Sequence, residues 1–141
     1  MKNQKILNNI SNRDKVFGKL CQEAENSYEN ANYFAALACL FVAAEQIIKY
    51  SLDENDGNFQ QALLKAKEKE IIDENLFIAL NNLRNFRNRL FHENHYIPTT
   101  EFVFDGIVYP PDEDETKKVI YDKFSQSIFN LVEKITLNNN D

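Results

Sequence analysis

Tryptophan is absent from this 141-residue chain, and glycine and proline number only three each. So few backbone breakers exclude a loop-rich, collagen-like or low-complexity chain. Cysteine occurs twice, at Cys21 and Cys39, with no CxxC spacing. That removes a disulfide framework and a cysteine-based zinc or redox motif, and predicts two reduced core thiols in an intracellular protein. A basic excess is also missing: the net charge is −6. The mean field of such a chain repels a polyanion, which argues against non-specific nucleic-acid binding but leaves room for a local basic site. The most apolar stretch, Tyr33 to Ala44, is followed by Glu45 and reads as too short to span a bilayer. The start, Met1-Lys2-Asn3-Gln4-Lys5, leads into no sustained apolar run, so neither a signal peptide nor a membrane span is expected and the protein is placed in the cytoplasm.

What the chain does have is 43% hydrophobic residues arranged at helical spacing. The expectation is an all-α fold: one domain over residues 1–141, built as an up-and-down bundle of about five helices with a core at about 11–136. Residues 1–10 are Asn-rich and read as a loosely held lead-in. Ser11-Asn12-Arg13-Asp14 resembles a capping box, so the first helix is expected from there to about Glu29, burying Val16, Phe17, Leu20, Cys21 and Ala24. The second, from about Asn32 to Leu52, is apolar almost all round and is expected to be the central helix. Asp53-Glu54-Asn55-Asp56-Gly57-Asn58 is a turn whose register does not meet a calcium loop. A third helix is predicted from about Phe59 to Lys69, with Lys65, Lys67 and Lys69 as its wet side. A fourth begins after the capping Asp73 and ends before Pro98. Glu101-Phe102-Val103-Phe104, Asp105-Gly106 and Ile107-Val108-Tyr109 then change period and form a β-hairpin signature, an insertion at about 100–109 before the last helix. That helix is expected to bury Val119, Ile120, Phe124, Ile128, Leu131, Val132 and Ile135 up to about Thr136, followed by a polar tail.

The chemistry concentrates in Arg84-Asn85-Phe86-Arg87-Asn88-Arg89-Leu90-Phe91-His92. Leu76, Leu80, Leu83 and Leu90 mark one buried stripe, and at about 100° per residue Arg87 falls between Leu80 and Leu83. An arginine there needs a partner or a polar cleft. Asn88 precedes His92 by four residues, so the two share one flank, whereas Arg87 and His92 stand about 140° apart on an ideal helix. A bend, a helix end or a second copy of the chain would have to unite them. Histidine exchanges a proton near neutral pH, arginine forks onto phosphate oxygens, and asparagine can orient the imidazole. Together they are the minimum parts for metal-free RNA cleavage, in which the ribose 2′-OH attacks the adjacent phosphate to leave a 2′,3′-cyclic phosphate. A histidine that only caps the helix end is the simpler reading of the same residues. Arg84 and Arg89 could track phosphates, or be ordinary helix-surface arginines. His95, three residues after His92, could join it and Glu93 on a metal, but without a placed carboxylate that set is weak, and no metal or cofactor is expected. The 17 aromatics, 11 Phe and 6 Tyr, read as core and give no base-stacking platform.

Arg87-Asn88-Arg89-Leu90-Phe91-His92 resembles the R-N-x-x-x-H signature of HEPN domains. The alanine-rich second helix, ending Ala43-Ala44-Glu45-Gln46-Ile47-Ile48-Lys49-Tyr50, resembles their core helix. The resemblance covers roughly residues 11 to 136. It implies a bundle that dimerises through the motif helix, with Arg87, Asn88 and His92 catalytic at a composite ribonuclease site and Arg84, Arg89 and His95 beside RNA. It also implies a toxin or phage-defence role, with a minimal nucleotidyltransferase as a possible antitoxin. Asn94 stands where such toxins often carry a tyrosine, two residues after the histidine; Tyr96 lies four residues on. A non-catalytic HEPN-like module that dimerises, or binds a nucleotide or partner protein, is the alternative.

Overall fold

The computed structural model describes residues 3–53, 57–88, 102–104, 106–110 and 113–139. Within them the chain is an all-α helical bundle with a small hairpin before the last helix. Its helices are α1 (Gln4–Arg13), α2 (Lys15–Glu29), α3 (Tyr33–Leu52), α4 (Phe59–Glu68), α5 (Glu74–Arg87) and α6 (Asp114–Asn139). The hairpin strands are β1 (Phe102–Phe104) and β2 (Ile107–Tyr109). They pair antiparallel, with Phe102 opposite Tyr109 and Phe104 opposite Ile107. Gly106 takes φ +79°, the positive φ that the Asp-Gly turn signal calls for.

Six helices stand where about five were expected, because the supposed lead-in is itself helical. Leu7 and Ile10 of α1 are wholly buried, so the bundle begins before residue 11. Ser11 lies inside α1 rather than capping α2. The true cap is Asp14, whose carboxylate accepts the Phe17 N–H at 2.9 Å. Starting the helix at Lys15 instead of Asn12 shifts its buried face. Phe17, Cys21 and Ala24 stay inside, but Val16 is 77% exposed. The polar sequence of α1 hid an amphipathic helix whose two apolar anchors stand three residues apart.

A second polar feature ties α1 down. Glu25 of α2 is buried. It accepts hydrogen bonds from Asn3 Nδ2, at 3.2 and 3.3 Å to its two oxygens, and from Tyr121 Oη of α6 at 2.7 Å. Burial and the neighbouring carboxylate push the Tyr121 phenol above its usual range, so it remains a donor. Tyr28 stacks on Tyr121 with ring centroids 4.5 Å apart and donates to Asp122. These contacts join α2 to α6 near the start of α3.

Helix α3 packs against α2, α4, α5 and α6. Ala36, Ala43 and Ala44 are wholly buried, and their small side chains allow that close approach. It is the central helix, yet not covered all round: Phe34, Val42 and Tyr50 are exposed. At 20 residues with mean hydropathy 1.4 it is also long and apolar enough to cross a membrane, half of it being buried in the bundle. The apolar run ahead of Glu45 is too short by itself, but the helix continues past Glu45 to Leu52. Asp73 caps α5 as expected, accepting the Leu76 N–H at 2.7 Å. Lys67 joins α4 to α5 through Glu74 at 2.8 Å and the face of Phe77 at 4.6 Å. Helix α6 continues through Leu137 and Asn138, where a tail was expected.

The scarcity of glycine shows at the helix ends. Ala31 (φ 60°), Asp53 (φ 55°) and Glu70 (φ 58°) all sit in the left-handed region. After α2, the Ala31 N–H bonds Tyr28 O and the Asn32 N–H bonds Ser27 O. After α4, Glu70 bonds Lys67 O and Ile71 bonds Ala66 O. Both are Schellman closures that glycine usually fills. Ala31→Gly and Glu70→Gly are each expected to raise the unfolding free energy by about 1 kcal/mol, the relief of the left-handed penalty less glycine's added unfolded-state freedom. Gly18 should respond oppositely, because a Cβ there would lie 2.4 Å from Ser11 Oγ and 2.5 Å from Ser11 Cα. Gly18→Ala is expected to cost about 1–3 kcal/mol by forcing α1 from α2. Urea titration at pH 7 measures all three.

Candidate active site around Arg87

Arg87 closes α5, and its partner is in its own chain. Its Nη1 donates to Glu45 Oε1 at 2.6 Å, and the Lys49 Nζ donates to Glu45 Oε2 at 2.8 Å. Glu45 and Lys49 are one turn apart on α3, the spacing that brings two side chains together on one flank. The guanidinium carbon lies 5.6 Å from the ring centroid of Phe59, the buried first residue of α4. Three helices therefore fix one side chain. All three charged groups are largely enclosed: the side chains of Arg87, Glu45 and Lys49 are 22%, 23% and 13% exposed. One carboxylate between two cations leaves the cluster net positive.

The geometry answers the question that the sequence raised about Arg87. An arginine among leucines is tolerated because α3 carries a carboxylate opposite it and α4 an aromatic face. Leu80 and Leu83 are buried beneath it as the stripe predicts, while Leu76 is only half-buried. Among the described residues the guanidinium is not fully satisfied, however. Arg87 Nε is buried with no hydrogen-bond partner among the described residues. A two-pronged arginine–carboxylate pair would have used that N–H; here the second carboxylate oxygen serves Lys49 instead.

Asn88 follows with helical dihedrals, φ −60° and ψ −40°, and its N–H bonds Arg84 O and Asn85 O. Helical backbone thus reaches Asn88. Arg84 is half-buried and turned onto its own helix, its Nε and Nη2 donating to Asn81 Oδ1 at 3.3 and 3.2 Å. His92, Arg89, Leu90 and His95 lie outside the described residues. Of the expected site, then, the structure positions Arg87, Asn88 and Arg84. Among the described residues no group of three His, Cys, Asp or Glu is arranged to hold a metal ion.

Sequence reasoning passed over Glu45 and Lys49. The available signal was a lone acid within an otherwise apolar helix, four residues before a lysine. A carboxylate in that position demands cations, and Arg87 was the misplaced cation elsewhere in the chain.

Both thiols are poor nucleophiles. Burial, with Cys39 nearby, pushes the Cys21 thiol up to about 12, and burial with the Glu23 charge also raises Cys39. Neither cysteine belongs to the Arg87 cluster. No family model matches this chain, and no curated protein or solved structure matches it.

Burial pushes the Glu45 carboxyl up, but hydrogen bonds and charges from Lys49 and Arg87 outweigh it and hold the group below the ordinary glutamate range. A carboxyl lowered by folding contributes stability above its unfolded-state value and loses it as pH falls through the folded-state value. Wild type is therefore expected to exceed Glu45→Gln in unfolding free energy at pH 7, and the gap is expected to close by about pH 3. Paired urea titrations at the two pH values read this directly. Iodoacetamide at pH 8 is expected to label Cys39 before Cys21 in the folded protein, and both at equal rates in urea, as followed by mass spectrometry.

Proposed function

We propose that this protein is a metal-independent endoribonuclease of HEPN type, acting as a homodimer. In this reading His92 is the acid and base, Arg87 holds the scissile phosphate and Asn88 orients the imidazole or a substrate oxygen. The observation that carries it is the state of Arg87: fixed by Glu45 and Phe59 in a net-positive, largely enclosed cluster, with no partner for Nε among the described residues. Developing charge on a phosphorane-like transition state is stabilised by a fixed guanidinium in a net-positive setting. The 2′-OH loses its proton to the imidazole as its oxygen attacks phosphorus. The 5′-oxygen of the next nucleotide leaves and takes a proton, and the chain end becomes a 2′,3′-cyclic phosphate.

Dimerisation draws support from α3. Val42, 49% exposed, is on the same helical flank as Glu45 and Lys49, so apolar surface adjoins the cluster. A toxin or defence role, and inhibition by a nucleotidyltransferase antitoxin, belong to the same proposal through the motif alone.

One observation favours the second reading, a non-catalytic module. Glu45 already neutralises one edge of Arg87 at 2.6 Å, as a purely structural ion pair would. The two readings separate in a chelator. In EDTA, wild type is expected to cleave single-stranded RNA and leave 2′,3′-cyclic phosphate ends detectable by mass spectrometry. His92→Ala is expected to lose roughly a hundredfold to ten-thousandfold in rate. Wild type inactive on RNA while still dimeric by sedimentation would decide for the module. Cleavage undiminished in His92→Ala would remove the assigned chemistry.

A further inference from the structure

We propose that Glu45 is a positioning residue: its carboxylate grips Arg87 by one nitrogen and turns the rest of the guanidinium toward a substrate phosphate. The inference rests on the ribonuclease reading above and extends it to a residue on another helix.

An ion pair that served stability alone would use the arginine fork fully, with Nε and one Nη on the two carboxylate oxygens. Glu45 does otherwise. Its Oε1 takes Arg87 Nη1 at 2.6 Å and its Oε2 takes Lys49 Nζ at 2.8 Å. With one cation on each oxygen, the carboxylate is held against rotation, and so is the guanidinium bound to it. Phe59 limits tilt from one side at 5.6 Å. The result is a guanidinium whose plane is set from α3 and α4 while its Nε is left without an acceptor among the described residues. Lys49 keeps the local charge positive, so the anion that orients Arg87 does not cancel the attraction for phosphate.

This arrangement makes a prediction of opposite signs. A carboxylate that is merely nearby repels the phosphate backbone, so removing its charge strengthens RNA binding and leaves turnover intact. A carboxylate that positions Arg87 does more for the transition state than for binding, so removing its charge lowers kcat without weakening binding.

The test uses the full chain in EDTA, with Glu45→Gln beside wild type. The substrate is a short fluorescent RNA, and the binding probe is the same oligonucleotide with 2′-O-methyl riboses, which cannot supply the nucleophile. Glu45→Gln is expected to lose roughly tenfold to a hundredfold in kcat while its Kd for the 2′-O-methyl probe is unchanged or lower. The folded fraction of each protein at assay temperature, from circular dichroism, corrects the rates. Wild-type kcat in Glu45→Gln, or a loss no larger than the loss of folded protein, overturns the inference and leaves the ribonuclease reading standing. A wild type that cleaves no RNA overturns both.

Discussion

A carboxylate set into an apolar helix cannot be left without cations, and that constraint organises the half of the molecule which carries the candidate site. Helix α3 supplies one cation from its own next turn, Lys49. The other has to come from a different helix, and it is Arg87. For the pair to meet, the end of α5 must lie against the middle of α3, and the start of α4 must bring Phe59 beneath the guanidinium. Breaking such a pair is costlier than never having had it, because the remaining charge stays enclosed. The ion pair is therefore weak evidence for stability and stronger evidence for a fixed arrangement of α3, α4 and α5.

The buried carboxylate of Glu25 makes the contrast. It is more enclosed than Glu45, yet the donors that reach it are the neutral Asn3 and Tyr121. Neutral donors satisfy lone pairs and fix helix positions without creating a charged surface. Glu25 lies where α1, α2 and α6 converge, and every contact it makes is internal. The Glu45 cluster is the reverse. It sits about one-quarter exposed, holds more positive than negative charge, and leaves a donor without an acceptor among the described residues. Of these two acids, Glu25 is spent on internal contacts and Glu45 stands in a cluster that still carries net positive charge.

How much of this the chain disclosed depended on whether the signal was local. The Asp73 cap, the positive φ of Gly106 and the bounds of α3 follow from neighbouring residues, and they stand as read. Helix α1 was missed because Asn and Gln dilute its composition while Leu7 and Ile10 do the burying. The α2 cap falls three residues later than expected because Ser11 and Asp14 are both good capping residues, and Ser11 lies inside α1. Arg87 was recognised as out of place from its angle on the helix. Its partner was not, since Glu45 is 42 residues distant in sequence, and nothing short of the fold brings the two together. Pairing between helices is a property of packing, and a single sequence carries it only as two separate anomalies.

The overall acidity of the chain bears less on nucleic-acid binding than it first suggests. At physiological ionic strength the screening length is about 8 Å, so exposed acids farther away than that contribute little at a given phosphate. An enclosed cluster is screened less and acts through a lower local dielectric. The net charge of −6 therefore sets the long-range field, while Arg87 and Lys49 set the field close to the cluster. On the proposed reading, the net charge opposes RNA at a distance and the cluster supplies a contact for a single phosphate. The proposed ribonuclease would then suit exposed, unpaired nucleotides more than a duplex, since broad backbone coverage needs many cations and this cluster provides two.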